Sequence, residues 1–121
     1  MIFVEAMILT ATLAITPVQE NAFRPHLVIA QGIVESGMNK YAKGKAGEKG
    51  AWQALEKYWG KVPHSIVGQR AHHMKIMNDL VQEKRGNISA AIVGYNGKGK
   101  KAKKYFCKVR RKSFELAIIQ C

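Results

Sequence analysis

Residues 25–37 read PHLVIAQGIVESG, an apolar segment that begins with a proline and ends with a glycine. Proline suits the first position of a helix, because the N–H that it lacks would have no partner there. Apolar side chains fall on nearly every side of such a helix, so the segment predicts a helix buried in a core. Glu35 and Ser36 come at its end, and Gly37 closes it.

Glycine-rich turns separate this helix from further helical segments. Residues 3–15 predict a buried first helix that Pro17 ends. Residues 39–50 hold three glycines and four lysines with almost nothing to bury, which predicts a loop or a frayed hairpin. Residues 51–59 predict a short helix.

The second half of the chain predicts three helices. Ser65 suits the cap of a long helix that ends at Gly86. Asn87 suits the cap of a short helix, and a closing helix begins at about Lys98. The predicted apolar faces of the long and closing helices comprise Ile66, Val67, Met74, Met77, Leu80 and Val81, and Tyr105, Phe106, Val109, Phe114, Leu116 and Ile118. No segment shows sustained period-two alternation, so the sequence predicts a single all-α domain over residues 1–121.

Composition limits the class of protein. The chain has 121 residues, of which 47% are hydrophobic, enough for one core and too many for intrinsic disorder. No stretch reaches the roughly 18 uncharged apolar residues of a membrane-spanning helix, so we expect a soluble domain. The net charge of +12 favours a polyanionic partner, which nucleic acid, anionic lipid and acidic envelope polymers would each satisfy, although simple solubility is the alternative.

The two cysteines and the N-terminus bear on the compartment. Cys107 and Cys121 are fourteen residues apart in the predicted closing helix. That spacing corresponds to a rise of about 21 Å, so we expect free thiols. Residues 1–17 imitate an export signal, but the first basic residue is Arg24 and Glu5 interrupts the apolar run. A buried helix is favoured over a cleaved signal.

Glu35 stands out among the few acidic residues. Its carboxyl would emerge from the core beside a glycine-rich loop, where partial desolvation is expected to raise its pKa and keep it protonated near neutral pH. A structural role at the helix end is the alternative. Solvated or ion-paired surface charges are predicted for Glu5, Glu20, Glu56, Asp79, Glu83 and Glu115.

Three short motifs follow one another along the chain: Glu35-Ser36 with Asn39 shortly after, Gly50-Ala51-Trp52-Gln53, and Gly94-Tyr95-Asn96. Their order and spacing resemble those of the lytic transglycosylase family, the lysozyme-like Slt type. There a Glu-Ser pair closes a core helix, a Gly-Leu-Met-Gln element follows, and an Ala-Tyr-Asn element comes later. The resemblance runs from about Pro25 to Val109, with YFCKV at 105–109 similar to the start of the family's closing helix.

The resemblance implies a lysozyme-like helical domain, in the α+β lysozyme-like superfamily, with at most a short irregular hairpin. It further implies a cell-wall enzyme without metal or organic cofactor that cleaves the bond between N-acetylmuramic acid and N-acetylglucosamine. Glu35 would protonate the glycosidic oxygen and then remove a proton from the muramyl 6-hydroxyl, giving a 1,6-anhydro product. The substrate's acetamido group would replace a second carboxylate.

The resemblance also implies substrate-binding roles for Ser36, Gln53, Tyr95 and Asn96. Ser36 has a helix-end role as its alternative. Tyr95 would hydrogen-bond Glu35 or the acetamido group, or serve only as a buried structural residue. Trp52 would stack on a sugar or fill core volume, and the core is favoured. Ala51-Trp52 in place of Leu-Met and Gly94 in place of Ala leave the shape of the sugar subsite in doubt.

Two alternatives remain open. Glu48 lies in the loop before the second motif and would, as a second carboxylate, make the enzyme a hydrolytic muramidase. Its lysine neighbours favour a solvated loop charge instead. The other alternative is a basic nucleic-acid-binding domain, because residues 98–112 contain nine basic side chains with two aromatic ones among them.

The expected partners are peptidoglycan glycan strands and anionic envelope polymers, with no metal, and the expected state is a monomer. His64, His72 and His73 lack the spacing of a metal site and are assigned to the surface. We expect action at the bacterial cell wall, in the periplasm or outside the cell. Because no clear signal peptide is visible, a phage-encoded enzyme released through a holin fits this sequence.

Overall fold

Five helices make up most of the described structure. The computed structural model describes residues 23–96 and 100–120, with only the backbone for residues 96, 100 and 115–120. The helices are α1 Pro25–Ser36, α2 Glu56–Trp59, α3 Ile66–Glu83, α4 Ile88–Asn96 and α5 Lys100–Gln120. The predicted helix at residues 3–15 lies outside the described residues, as do Glu5, Glu20 and Cys121. The all-α class is confirmed for this part of the chain.

The loop after α1 is the irregular hairpin that the glycines predicted. Isolated antiparallel bridges join Lys43 to Lys49 and Lys49 to Ala54, with no named strand among residues 23–96 and 100–120. We call residues 43–54 the hairpin. The predicted helix at 51–59 is shorter than expected, because Gly50 has φ 81° and Gln53 has φ 53°. These left-handed residues make a turn, and the helix begins only at Glu56.

The helix ends follow the capping signals in the sequence. Pro25 is the first residue of α1, and Gly37 ends it with φ 67°. The Ser65 hydroxyl accepts a hydrogen bond from the Gly68 N–H at 3.0 Å at the start of α3. The Asn87 side chain accepts one from the Ala90 N–H at 3.0 Å at the start of α4. These predicted boundaries are confirmed.

Helix α1 lies at the centre of the fold, packed mainly against α5 and also against α3. Its fully buried face is formed by Val28, Ala30, Gln31 and Gly32. The prediction of burial on nearly every side is wrong in part, because Ile29 and Ile33 are only partly buried. None of the described helices has the length and apolar character needed to cross a bilayer.

Two apolar residues that were expected in the core face solvent. Val67 in α3 is 74% exposed, and Phe114 in α5 is 67% exposed. The buried face of α3 instead includes Gln69 and His73. The predicted face of α3 is otherwise confirmed, since Met77, Leu80 and Val81 are buried and two more of its residues, Ile66 and Met74, pack against the core. An apolar pattern alone does not identify polar residues that are buried with hydrogen-bond partners.

Candidate active site at the end of helix α1

Ser36 fastens the end of α1 to the hairpin. Its hydroxyl donates to the Ala51 carbonyl oxygen at 2.7 Å and accepts from the Asn39 N–H at 3.0 Å. Both bonds are within the protein, so the helix-end role that was left open for Ser36 is the one the structure supports. The first and second sequence motifs are thereby brought together.

Glu35 lies one residue earlier, in the last turn of α1, and is partly buried. Two phenols face it. Burial raises the pKa of both Tyr95 and Tyr105, and the negative charge of Glu35 raises each of them further. Tyr105 also hydrogen-bonds Glu35, which favours the protonated phenol as donor. Tyr105 of α5 therefore contacts the candidate acid, while Tyr95 of α4 is affected by its charge.

The Tyr95 hydroxyl donates to the Trp52 carbonyl oxygen. A carbonyl oxygen can only accept, so the phenol proton points at the second motif and not at Glu35. The prediction that Tyr95 faces inward is confirmed, since most of the ring packs against the core. Its hydroxyl links the third motif to the second.

Trp52 is a core residue. It is 3% exposed, and its indole Nε1 donates to the Val28 carbonyl oxygen at 2.7 Å. The indole lies against α1 at Gly32, where an added Cβ would be 3.1 Å from Nε1. The core interpretation is confirmed, and the alternative in which Trp52 stacks on a sugar is wrong because the ring is enclosed.

The side chains of Gln53 and Glu48 both lie next to Gly44 in the hairpin. An added Cβ at Gly44 would collide with the Glu48 carboxylate and would lie 2.8 Å from the Gln53 amide oxygen. The Gln53 amide nitrogen donates to the Gly50 carbonyl oxygen at 2.9 Å. The absence of a side chain at Gly44 thus brings the carboxylate and the amide together.

Glu48 is partly buried and oriented toward the site. Its Oε1 accepts from the Ala46 N–H at 2.9 Å. Burial is the main cause of the raised pKa of the Tyr95 phenol, and the negative charges of Glu35 and Glu48 raise that pKa further. The charge of Glu48 therefore acts on the same phenol as the charge of Glu35.

The sequence did not predict a series of buried, hydrogen-bonded side chains that ends at Glu35. Gln31 and His73 are both fully buried. The Gln31 amide oxygen lies 2.8 Å from His73 Nε2, and its amide nitrogen donates to the Tyr105 hydroxyl at 3.1 Å. An amide oxygen only accepts, so Nε2 carries the imidazole proton. The donors run in one direction: His73 to Gln31, Gln31 to Tyr105, and Tyr105 to Glu35.

The surface position predicted for His73 is wrong. Burial lowers the pKa of His73 to about 3, with a smaller contribution from His72, so the ring is neutral at physiological pH. Its ring stacks on Trp52 at a centroid distance of 5.5 Å and meets Tyr95 edge-on at 4.8 Å. Its Nδ1 is buried and has no hydrogen-bond partner among the described residues, as suits the unprotonated nitrogen of a neutral ring.

One sequence feature could have revealed this series of hydrogen-bonded side chains. Gln31 is the only polar side chain in the apolar run between Leu27 and Glu35, and it lies one helical turn before Glu35 on the same face. A glutamine in the middle of a buried helix requires partners for its amide. The partners come from distant helices, and the sequence does not identify them.

The remaining candidates are distributed elsewhere. His72 Nε2 lies 2.9 Å from the Trp59 carbonyl oxygen, and His64 is exposed. No three His, Cys, Asp or Glu side chains among the described residues are placed to hold a metal ion. Cys107 is an exposed free thiol. The predicted substrate contact of Asn96 concerns a side chain outside the described part and stays a prediction.

No protein-family model, curated protein or solved structure matches the chain. Only the site itself therefore indicates a function. Its features are a carboxyl at the end of a core helix, a phenol that hydrogen-bonds this carboxyl, and a hairpin that presents an amide and a second carboxylate. Such a site is equipped to transfer protons to and from a polar substrate.

Proposed function

We propose that the chain is a peptidoglycan lytic transglycosylase with a lysozyme-like fold and with Glu35 as catalytic acid and base. The observation that carries the proposal is the contact between Glu35 and the Tyr105 hydroxyl, at the point where the core helix meets the hairpin. The resemblance of the three motifs to the family supports the same residue. The all-α architecture is compatible with it.

Glu35 would first donate its proton to the glycosidic oxygen between the muramyl and glucosaminyl residues. The carboxylate so formed would accept the hydrogen bond of Tyr105, whose oxygen in turn accepts from Gln31. A donor held in place by a buried partner stabilises developing charge without reorganisation. The substrate's acetamido oxygen would stabilise the anomeric centre, and Glu35 would then take the proton of the muramyl 6-hydroxyl and regain its starting state.

A hydrolytic muramidase is the second candidate, and the position of Glu48 favours it. After the larger effect of burial, the charges of Glu35 and Glu48 both raise the pKa of Tyr95, so both carboxylates act on the same phenol. A second carboxylate would activate water or bind the anomeric carbon. The product would then be a reducing end, with no anhydro ring.

Product masses and one substitution distinguish the two reactions. Purified peptidoglycan is digested with the protein and the muropeptides are weighed; anhydro ends are lighter than reducing ends by one water. In the transglycosylase, Glu48→Gln keeps activity within about threefold, whereas in the hydrolase it lowers kcat by about a hundredfold or more. Glu83→Gln is the matched control, since Glu83 is exposed at the far end of α3.

The proposed site of action is the bacterial cell wall, with glycan strands and anionic envelope polymers as partners. The net charge of +12 would attract the protein to these anionic polymers. We also propose that the protein acts in phage lysis. The same charge would suit a nucleic-acid-binding domain. Absence of cleavage together with salt-sensitive DNA binding would overturn both enzyme proposals.

A further inference from the structure

A cleft lies against the hairpin, close to the candidate active site. It is a cleft of about 580 Å³ between the start of the hairpin, its last turn and the segment before α3. Four of its lining residues are lysines, which are Lys40, Lys43, Lys49 and Lys61. Tyr41, also in the lining, is 75% exposed. We call this cleft the lysine pocket.

The one carboxylate of the lysine pocket is already engaged. Glu56 Oε1 accepts from Lys49 Nζ at 2.8 Å, and Oε2 accepts from the Val62 N–H at 2.8 Å. These two hydrogen bonds, the Lys49 bond first, lower the pKa of Glu56, so it is charged at neutral pH. Glu56 is therefore the ion-paired surface charge that the sequence predicted. Lys40, Lys43 and Lys61 form no ion pair within the described part of the chain.

Gln69 holds the walls of the lysine pocket in place. It is 4% exposed, and its amide oxygen accepts from the Ala51 N–H at 2.9 Å. Its amide nitrogen donates to the carbonyl oxygens of Lys40 at 3.1 Å and Pro63 at 3.0 Å. One buried side chain thus fastens three backbone segments that carry the lysines, so the pocket exists before any ligand binds.

The chemistry of the lysine pocket suits a small group with more than one negative charge. Lys40, Lys43 and Lys61 make no direct ion pair in the described part of the chain, although the charge of Lys61 also acts on Glu56. Lysines around a concave surface attract oxyanions and hold them as point charges. A nucleic-acid duplex would instead require a broad basic surface that follows its backbone. The concave shape, with its lysines within one cleft, therefore favours a compact carboxylate-bearing ligand.

The position of the pocket relates it to the candidate active site. Gly50 lines the pocket, and the next residue, Ala51, accepts the hydrogen bond of Ser36 beside Glu35. A glycan strand bound at Glu35 carries peptide stems with free carboxylates. We propose that the lysine pocket binds the carboxylates of a peptide stem on the glycan strand, an inference that rests on the proposed function.

Cleavage of two substrates tests the proposal. The variant Lys43→Gln with Lys61→Gln is compared with wild type on peptidoglycan that carries its stems and on strands stripped of stems by an amidase. We expect kcat/KM to fall about tenfold on stem-bearing strands and to stay within about twofold on stripped strands. The control is Lys103→Gln with Lys104→Gln, an equal charge change at exposed positions on α5. Equal losses on both substrates, or no loss on either, would overturn the proposal.

A peptide-binding experiment tests the lysine pocket independently of the proposed enzymatic function. Titration calorimetry measures the affinity of wild type for an acidic tetrapeptide of stem composition and for the same peptide with its carboxylates amidated. We expect binding of the acidic peptide only, lost in Lys43→Gln with Lys61→Gln and kept in the α5 control. If wild type cleaves neither substrate, the proposed function fails, while this titration still decides the pocket. An oligonucleotide that binds in place of the peptide would overturn the assignment of the stem.

Discussion

The candidate site has two sides that are built differently. Behind Glu35, the chain of His73, Gln31 and Tyr105 is enclosed in the core, and its donors run in one direction. On the other side, residues 43–49 of the hairpin have an isolated bridge, short local hydrogen bonds and exposed lysines, whereas Ala51 and Trp52 later in the hairpin are buried in the core. A buried network is held by many contacts, whereas an exposed segment such as residues 43–49 opens at lower cost.

This difference indicates that the buried side and the hairpin side contribute differently to activity and to stability. The buried side determines where the candidate acid points and what donates to it, since its partners are excluded from water. In the proposed enzyme the exposed part of the hairpin, residues 43–49, would contact substrate, and its exposed side chains can be altered with less effect on folding than the buried Trp52. Substitutions on the two sides should therefore separate activity from stability.

The largest expected effect belongs to Glu35, where the two sides meet. Glu35→Gln removes the transferable proton and keeps the shape, so kcat should fall by about a thousandfold or more. The melting temperature should change by only a few degrees, because the side chain is partly buried and not a core residue. Muropeptide release and thermal unfolding measure the two quantities, with Glu83→Gln as the control. Activity comparable to wild type would show that the proton donor is another residue.

The buried side should also control how stability depends on pH. The pKa of His73 is about 3 in the folded protein, below the ordinary value of 6.5. Between these values the unfolded chain binds a proton that the folded protein does not, so stability is complete above pH 6.5 and is lost as pH falls toward 3. The loss approaches about 1.4 kcal/mol for each pH unit in that window.

His73→Gln isolates this effect, since its amide nitrogen can still donate to Gln31. We expect the free energy of unfolding of the variant to fall less steeply between pH 6.5 and 4 than that of wild type, as measured by denaturant titration. His64→Gln, which removes an exposed imidazole, is the comparison. Equal slopes in wild type and His73→Gln would show that His73 is not buried as a neutral ring.

The sequence predicted features that depend on neighbouring residues. The limits of α1, the caps of α3 and α4, and the irregular hairpin follow from Pro25, Gly37, Ser65 and Asn87 and from the glycine spacing. Each of these acts within a few residues, through backbone geometry or a cap. The candidate acid was found because it ends such a local element.

The features that were missed depend on distant partners. Gln31 and His73 are 42 residues apart, and Gln31 and Tyr105 are 74 apart. Hydrophobicity assigns glutamine and histidine to the surface, and only a three-dimensional partner reverses that assignment. The burial of Gln69 was not predicted for the same reason, although its amide holds the walls of the lysine pocket in place.

The smallest expected effect concerns the contact between the two sides at Gly32. An added Cβ there would be 3.1 Å from the Trp52 indole, and it would collide with the Met38 sulfur. Gly32→Ala should therefore destabilise the protein by about 1–3 kcal/mol, even though alanine favours a helix by about 1 kcal/mol. Gly94→Ala is the matched control in α4, where the nearest atom would be the flexible Lys84 Cε at 3.4 Å. It should be neutral or stabilising by up to about 1 kcal/mol. Urea unfolding of both variants measures the difference. If the two glycines respond alike, Trp52 does not pack against α1 as closely as the structure has it, and the hydrogen bonds of Ser36, Gln69 and Tyr95 contribute more to holding the hairpin on the core.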